Sequence, residues 1–406
     1  MGNDGPLNPD AALEMILGTT PRLGTERISL QNALGRILSE DIHSSDNIPP
    51  FDNSAMDGYA LIADDTISAC KDAPVRLKVI AEAPAGTVVT ERVESGTAVR
   101  IMTGAPVPRG ADSVIMVEDT CREHDDVLIL RESKPEANIR PAAEDVRRGD
   151  LVMQAGRRIR PAEMGMLAAL GVAEILVSRR PRVAIITSGN ELVDVTENPS
   201  AGQIRDSNQY SLLGQAILAG GEVSKVSRLI DEKDELERVL LSAAETSDLI
   251  ITSGGVSVGD YDFVKETLAK LGDIQFWKVY IKPGKPLVYG HINGVPVFGL
   301  PGNPVSSMVT FDLFVRPAIL RMMGLEDTSY RMVSAVVMQD IRHKVCVREF
   351  VRAVTIWKDG KYEATPTGMQ GSGRLSSMIN ANSYIVIPEA TGDLKSGQTL
   401  QVVLFE

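Results

Sequence analysis

Cysteine is scarce in this chain. Cys70, Cys121 and Cys346 are odd in number and far apart in 406 residues, which gives neither a disulfide framework nor a CxxC metal clasp. Histidine is almost as rare. His43, His124, His291 and His343 form no pair at ligand spacing, so no zinc site can be read. Aromatic residues make up only 4% of the chain, too few for a base-stacking platform or an aromatic-lined sugar groove. No uninterrupted apolar run reaches the roughly 18 residues that span a bilayer. The N-terminus has no charged start followed by an apolar segment. The net charge of −12 argues against general affinity for nucleic acid or an anionic membrane. An anionic substrate would need a local basic pocket inside that acidic exterior. These absences leave a globular, cytoplasmic protein.

What is present is ordinary in bulk, with 43% hydrophobic and 24% charged residues, and the length is enough for roughly two to four domains. Residues 8 to 40 read as helical, with Asn8 capping AALEMILGTT and a second periodic stretch at Gln31–Leu34. DNIPPFDNSAMDGY is a loop that gathers Asp52, Asn53, Ser54 and Asp57. VRLKVIAEA, TAVRIMTGA, DSVIMVEDT and DVLILRES then read as short strands of an inserted β subdomain, 46–140. Thr103 sits at one strand end, and Arg140 lies in a second polar knot. PAEMGMLAALG has the Pro-first, Gly-last form of a helix. Segments 1–45 and 141–180 form an N-terminal helical, linking subdomain.

From 181 to 328 strands and helices alternate, which predicts an α/β domain with a mostly parallel sheet and ligands at the carboxyl ends of its strands. Asp206 or Ser207 can cap the helix that begins at Asn208, and Asn293-Gly294 is a hairpin turn. After Tyr330 the helical pattern stops and a small β domain, 329–406, begins, with Asp359-Gly360 as a second hairpin turn.

The chemistry gathers at the predicted strand ends. In SDLIITSGGVSVGDYDFVK a buried strand runs into Ser253, Gly254 and Gly255, then Ser257, Asp260 and Asp262, then a helix carrying Lys265. Strand, glycine turn and helix start can aim backbone N–H groups at a phosphate, although neither a Walker loop nor a GxGxxG turn is present. Nearby ends carry Glu191, Asp231 and the Pro301-Gly302-Asn303-Pro304 loop. Carboxylates facing phosphates suit Mg²⁺, so Glu191, Asp262 and Asp231 are the candidate metal ligands. Lys282 and Lys285 flank a Pro-Gly bend in IKPGKP, and compact ammonium charges suit phosphate or an oxyanion.

FDNSAMDGYA, RIMTGAPVP, NIRPAAED, TSGNEL, GQIRDSN, TSGGVSVGDYDFVK, WKVYIKPGKP, GLPGNPVSS and REFVRA occur in order along nearly the whole chain. Together they resemble the molybdopterin molybdenumtransferase family, to which the cofactor-synthesis domain of gephyrin belongs. The resemblance implies an elongated homodimer of four subdomains, the third a molybdopterin-binding α/β fold and the fourth a β-barrel. The implied reaction takes adenylylated molybdopterin and molybdate to molybdenum cofactor and AMP with Mg²⁺. Carried over by motif, Lys282, Lys285 and Pro286 resemble the molybdate-side lysine loop, Arg352 its late arginine, and Asp57 the essential aspartate. Ser257, Asp262 and Glu191 resemble pterin-phosphate and metal positions. Thr103, Arg140, Ser253, Gly254, Gly255, Pro301 and Asn303 complete the candidate substrate-binding set. The catalytic set is Asp57, Lys282, Lys285 and Asp262, with Asp57 expected to act in the partner subunit's site. Asn190 stands where the family often carries Asp, and GSGRLSSM, with Ser372 and Arg374, is a loose form of its Ser-Arg-Leu segment. The adenylyltransferase and recipient molybdoenzymes are the expected partners. Two alternatives are an adenylyltransferase-like nucleotidyl enzyme, which would need only the middle domain, and a non-catalytic scaffold, which would carry an added docking domain.

Overall fold

A computed structural model describes residues 5–254 and 263–405. Gly255, Ser257, Asp260 and Asp262 therefore lie outside the described residues. The chain packs as two units, one made of Ile28–Leu34 with Glu40–Ile175, the other of the stretch to Arg27, Gly35–Ser39 and the chain from Leu176 onward.

In the first unit a six-stranded sheet runs Ser113–Met116, Gly58–Leu61, Thr97–Ile101, Val75–Ala83, Asp126–Ile129, Thr120–Glu123. Four of its strands, Val75–Ala83, Thr97–Ile101, Ser113–Met116 and Asp126–Ile129, coincide with the β-branched runs, because branched side chains fit a pleated, half-buried surface. One face buries Leu61, Leu77 and Val127, the other Ala60, Val99 and Val114. Outside the sheet lies the helix Pro161–Ala169, with proline in its first turn as expected.

In the second unit the central sheet runs Glu222–Leu229, Arg182–Ser188, Leu249–Ser253, Val295–Leu300, Pro286–Ile292, Asp273–Lys278. The first four strands are parallel and the last two antiparallel. Leu249–Ser253 is buried along its whole length, as a parallel strand covered on both faces must be. Helix Lys233–Thr246 turns Leu236, Val239, Leu240 and Ala243 onto the sheet at helical spacing. Asn293 and Gly294, at φ of 50° and 80°, make the left-handed turn that joins the antiparallel pair.

Near the C-terminus, Met332–Val337, Arg348–Lys358, Lys361–Pro366, Ser383–Ile387 and Thr399–Leu404 close into a five-stranded barrel. A sixth, two-residue strand, Ile281–Lys282, pairs in parallel with the outside of Arg348–Lys358 and ties the α/β sheet's loop to the barrel. The fold class is thus the expected one: multidomain α/β, a mostly parallel central sheet, a β subdomain and a C-terminal barrel.

The helical expectation for residues 8 to 40 holds only for Pro9–Thr19, where Asn8 accepts the Asp10 N–H at 2.8 Å. Thr25–Ser29 is a strand with alternating burial, and Leu30–Asn32 is a single 3-10 turn. β-branched Thr25 and Ile28 favour the strand.

Candidate active site

The carboxyl ends of three adjacent parallel strands, Arg182–Ser188, Leu249–Ser253 and Val295–Leu300, open onto a crevice of about 420 Å³. Open parallel sheets place their ligands at this end. Gly254 draws two of the ends together. It has φ +100°, and a Cβ there would collide with the Ser188 carbonyl oxygen. Of the expected site residues, Glu191, Asp231, Ser253, Gly254, Pro286, Pro301 and Asn303 all line this crevice.

Asn208 organises the floor, and the motif reading passed over it. Its Nδ2 donates to Ser253 Oγ at 2.9 Å and to the Gly302 carbonyl at 2.7 Å, while Ser253 Oγ donates to the Pro301 carbonyl at 3.2 Å. Its Oδ1 is buried with no partner among the described residues, an acceptor left for a ligand donor. The signal was there in GQIRDSN, but the neighbouring Asp206 and Ser207 read only as helix caps. Asp206 is the cap: its Oδ1 accepts the Gln209 N–H at 3.0 Å, and its other oxygen accepts the Thr187 hydroxyl.

Glu191 and Asp231 come together at the crevice as expected, and neither carboxylate has a hydrogen-bond or ion-pair partner among the described residues. Asn190 is a loop staple. Its Oδ1 accepts the Asp231 N–H at 3.1 Å, fixing the Asp231 backbone beside the Glu191 turn. No cluster of three metal-ligating side chains occurs among the described residues. Two carboxylates that lack other partners still match the donor set of Mg²⁺, which takes one or two carboxylates and fills the rest with phosphate and water.

The lysine loop follows a different logic. Lys282 Nζ sits 2.8 Å from Glu349 Oε1, its register partner across the parallel pair. Lys285 is exposed, and its side chain has no partner among the described residues. Between them Gly284, at φ +107°, packs against Thr310 so closely that a side chain would collide there. Neither lysine lines the crevice, although Pro286 at the end of the same loop does.

Arg352 is 1% exposed. Its Nε donates to Ser377 Oγ and its Nη2 to the Gly371 carbonyl, both at 3.2 Å, and its N–H donates to Gln370 Oε1 at 2.9 Å. Burial pulls its pKa below the usual arginine value. These bonds pin the Gly371–Arg374 turn, and the Ser372 carbonyl accepts the Val305 N–H at 3.0 Å where helix Pro304–Thr310 begins beside the crevice. Arg374 itself is exposed.

In the other unit, Asp57 Oδ1 accepts both the N–H and the hydroxyl of Thr103, each at 2.7 Å. Those two bonds, the backbone one foremost, hold its carboxyl below the usual range, so it is firmly ionised. Arg140 lies across from Asn53 in a two-residue antiparallel pair.

Residues 7–171 match the MoeA N-terminal region (domain I and II), 184–321 a probable molybdopterin binding domain, and 334–405 the MoeA C-terminal region (domain IV). The molybdopterin molybdenumtransferase of Haemophilus influenzae is 38% identical, the alignment covering 94% of each chain. That of Bacillus subtilis is 36% identical over 98% of this chain and 94% of its own. The crystal structure of the molybdopterin biosynthesis moeA protein from Pyrococcus horikoshii OT3 superposes with a TM-score of 0.86 at 33% identity, covering 99% of this chain and all of its own. With this likeness covering nearly the whole chain, the chain belongs to the molybdopterin molybdenumtransferase family.

Proposed function

We propose that this enzyme inserts molybdate into adenylylated molybdopterin, releasing AMP and forming molybdenum cofactor. The observation that carries the reading is the crevice at the carboxyl ends of the parallel strands, where Glu191, Asp231 and the buried Asn208 Oδ1 have no partner among the described residues. A pterin or nucleotide N–H is the kind of donor that acceptor calls for.

In this reading the chain works by holding two anions close together. Lys282 and Lys285 supply the cationic charge for the oxyanion, with the buried Arg352 acting behind them by pinning the Gly371–Arg374 turn, so that a bimolecular encounter becomes a positioned one. No nucleophilic side chain is needed. Glu191 and Asp231, with Asp262 from outside the described residues, would hold Mg²⁺, which polarises a pyrophosphate when bound. Glu191→Gln should raise the Mg²⁺ concentration needed for half-maximal rate while leaving the melting temperature in place. Normal activity at low Mg²⁺ would make Glu191 a structural residue.

The deciding assay measures AMP release from adenylylated molybdopterin with and without molybdate. Release that requires molybdate is the expected result. Release without it, or turnover of ATP, would replace the reading with that of a nucleotidyl enzyme, and no turnover at all with that of a scaffold. The reading also takes the enzyme to be a cytoplasmic homodimer that receives its pterin from the adenylyltransferase and passes product to recipient molybdoenzymes. Asp57 acting in a partner's site predicts that exchanged mixtures of inactive Asp57→Asn and Lys285→Ala subunits regain activity. Mixtures that stay as inactive as their parents would refute it.

A further inference from the structure

Glu349 lies in REFVRA, and its charge has been given no role. It is the second residue of strand Arg348–Lys358, it is 4% exposed, and its Oε1 lies 2.8 Å from Lys282 Nζ. Its other oxygen, Oε2, is buried with no hydrogen bond among the described residues, 3.9 Å from His343 Nε2. His343 is itself buried, with Nδ1 2.9 Å from the Thr391 carbonyl and Nε2 2.8 Å from the Val347 carbonyl. Arg352, on the same strand, also feels the Glu349 charge. The carboxylate thus lies between Lys282 on one paired strand and Ile387 on the other, with His343 from the preceding loop and Arg352 along its own strand nearby.

Burying a carboxylate is costly, and half-satisfying it more so. A brace for the loop alone would be served as well by a neutral amide, which also offers Lys282 an oxygen. What the charge adds is electrostatic. A tetrahedral dianion approaching Lys282 is drawn by the ammonium and repelled by the carboxylate just behind it. Fixing Lys282 in advance saves the rotamer entropy of ordering it on binding. The repulsion acts the other way. At a few ångströms and the screening of a half-exposed loop, one full charge against a divalent ion is the larger of the two effects.

We infer that Glu349 is a positioning residue for the oxyanion: it holds the Lys282 ammonium in place and, through its own charge, keeps the hold on a tetrahedral dianion loose enough for the ion to be handed on to the pterin. This rests on the reading of Lys282 as a molybdate-side cation.

The test compares Glu349→Gln, Glu349→Asp, Lys282→Ala and the Glu349→Gln/Lys282→Ala double variant, each checked for native melting. The readouts are the molybdate concentration for half-maximal AMP release, the maximal rate, and inhibition by sulfate. Glu349→Gln keeps the acceptor and removes the charge. It should lower the half-saturating molybdate concentration on the order of tenfold, with sulfate inhibition strengthened in parallel. The effect should vanish in the Lys282→Ala background. Glu349→Asp keeps the charge but withdraws it from Lys282, and should bind molybdate no more tightly than the parent while turning over more slowly. If Lys282→Ala weakens molybdate dependence but Glu349→Gln leaves it unchanged or weakens it too, Glu349 is only a brace and the inference is overturned. If Glu349→Asp tightens binding as much as Glu349→Gln, charge is not the cause and the inference is likewise overturned. An unchanged molybdate dependence in Lys282→Ala would instead overturn the lysine-loop reading beneath it.

Discussion

Asp312 sits in the apolar run MVTFDLFV, fully enclosed, with Tyr384 OH at 2.8 Å and Gln215 Nε2 at 2.7 Å donating to it. Burial outweighs those bonds and pushes its pKa from 3.8 up to about 6. The folded state therefore keeps its proton to higher pH than the unfolded chain does. The stability this confers is complete below pH 4 and is lost as pH rises through about 6, a decline of about 3 kcal/mol. Asp312→Asn should abolish that decline, since the buried, unpartnered Oε1 of Gln215 can accept the new N–H after an amide flip. Urea melts at pH 5 and pH 8 measure its upper half: the parent should lose stability between them by about 1.4 kcal/mol more than the variant. A second residue prediction concerns Lys285, exposed and without a partner among the described residues. Lys285→Ala should weaken molybdate dependence by about 1.5–3 kcal/mol, the worth of one charge-assisted contact, with pterin binding little changed. Titrating each substrate separately in the AMP-release assay measures it, and an unchanged molybdate dependence would remove Lys285 from the site.

At the scale of elements, the turn at Gly254 is the most exacting. Alanine there would meet both the positive φ and the Ser188 carbonyl, and should cost on the order of 3 kcal/mol. Denaturant midpoints measure the cost, and activity should fall with it because Ser253 and Asn208 are held by the same junction. Elements whose signal is local were legible in the sequence. Asn293-Gly294 and Asp359-Gly360 both adopt left-handed conformations that few other dipeptides tolerate, and both are hairpin turns as read. The alternation of strand and helix from 181 onward gave the parallel sheet and the end at which its crevice lies. What depends on register was not legible. Glu349 meets Lys282 only because two distant strands pair at that offset, and nothing in REFVRA says which residue IKPGKP will face. The sites of Asn208 and Asp312 were hidden in the same way: a cap motif and a lone acid in an apolar run have bland explanations until their partners are in view. The Gln31–Leu34 stretch failed for the opposite reason, since a short helical period there was overridden by the strand before it.

At the scale of the molecule, separate cores imply separate melting. The first unit is built around the clusters of Leu61 and Val99, the second around those of Ile251, Ile250 and Val351. Multidomain chains of this kind depart from two-state behaviour. Calorimetry should give a total enthalpy above the van't Hoff value, and a ratio of one would show that the units unfold as a single cooperative body.

The two-residue strand Ile281–Lys282 bears on how far this architecture can be taken apart. It belongs by sequence to the α/β half and by hydrogen bonding to the barrel. A chain ended before Met332 would keep every residue of the crevice yet lose the strand that Ile281–Lys282 pairs with and the counter-ion of Lys282. Its freed backbone groups would form an open edge, the usual seed of aggregation. The α/β half is thus not a graftable module: to transplant its chemistry onto another scaffold, an engineer would have to carry the barrel along or rebuild the lysine loop without it.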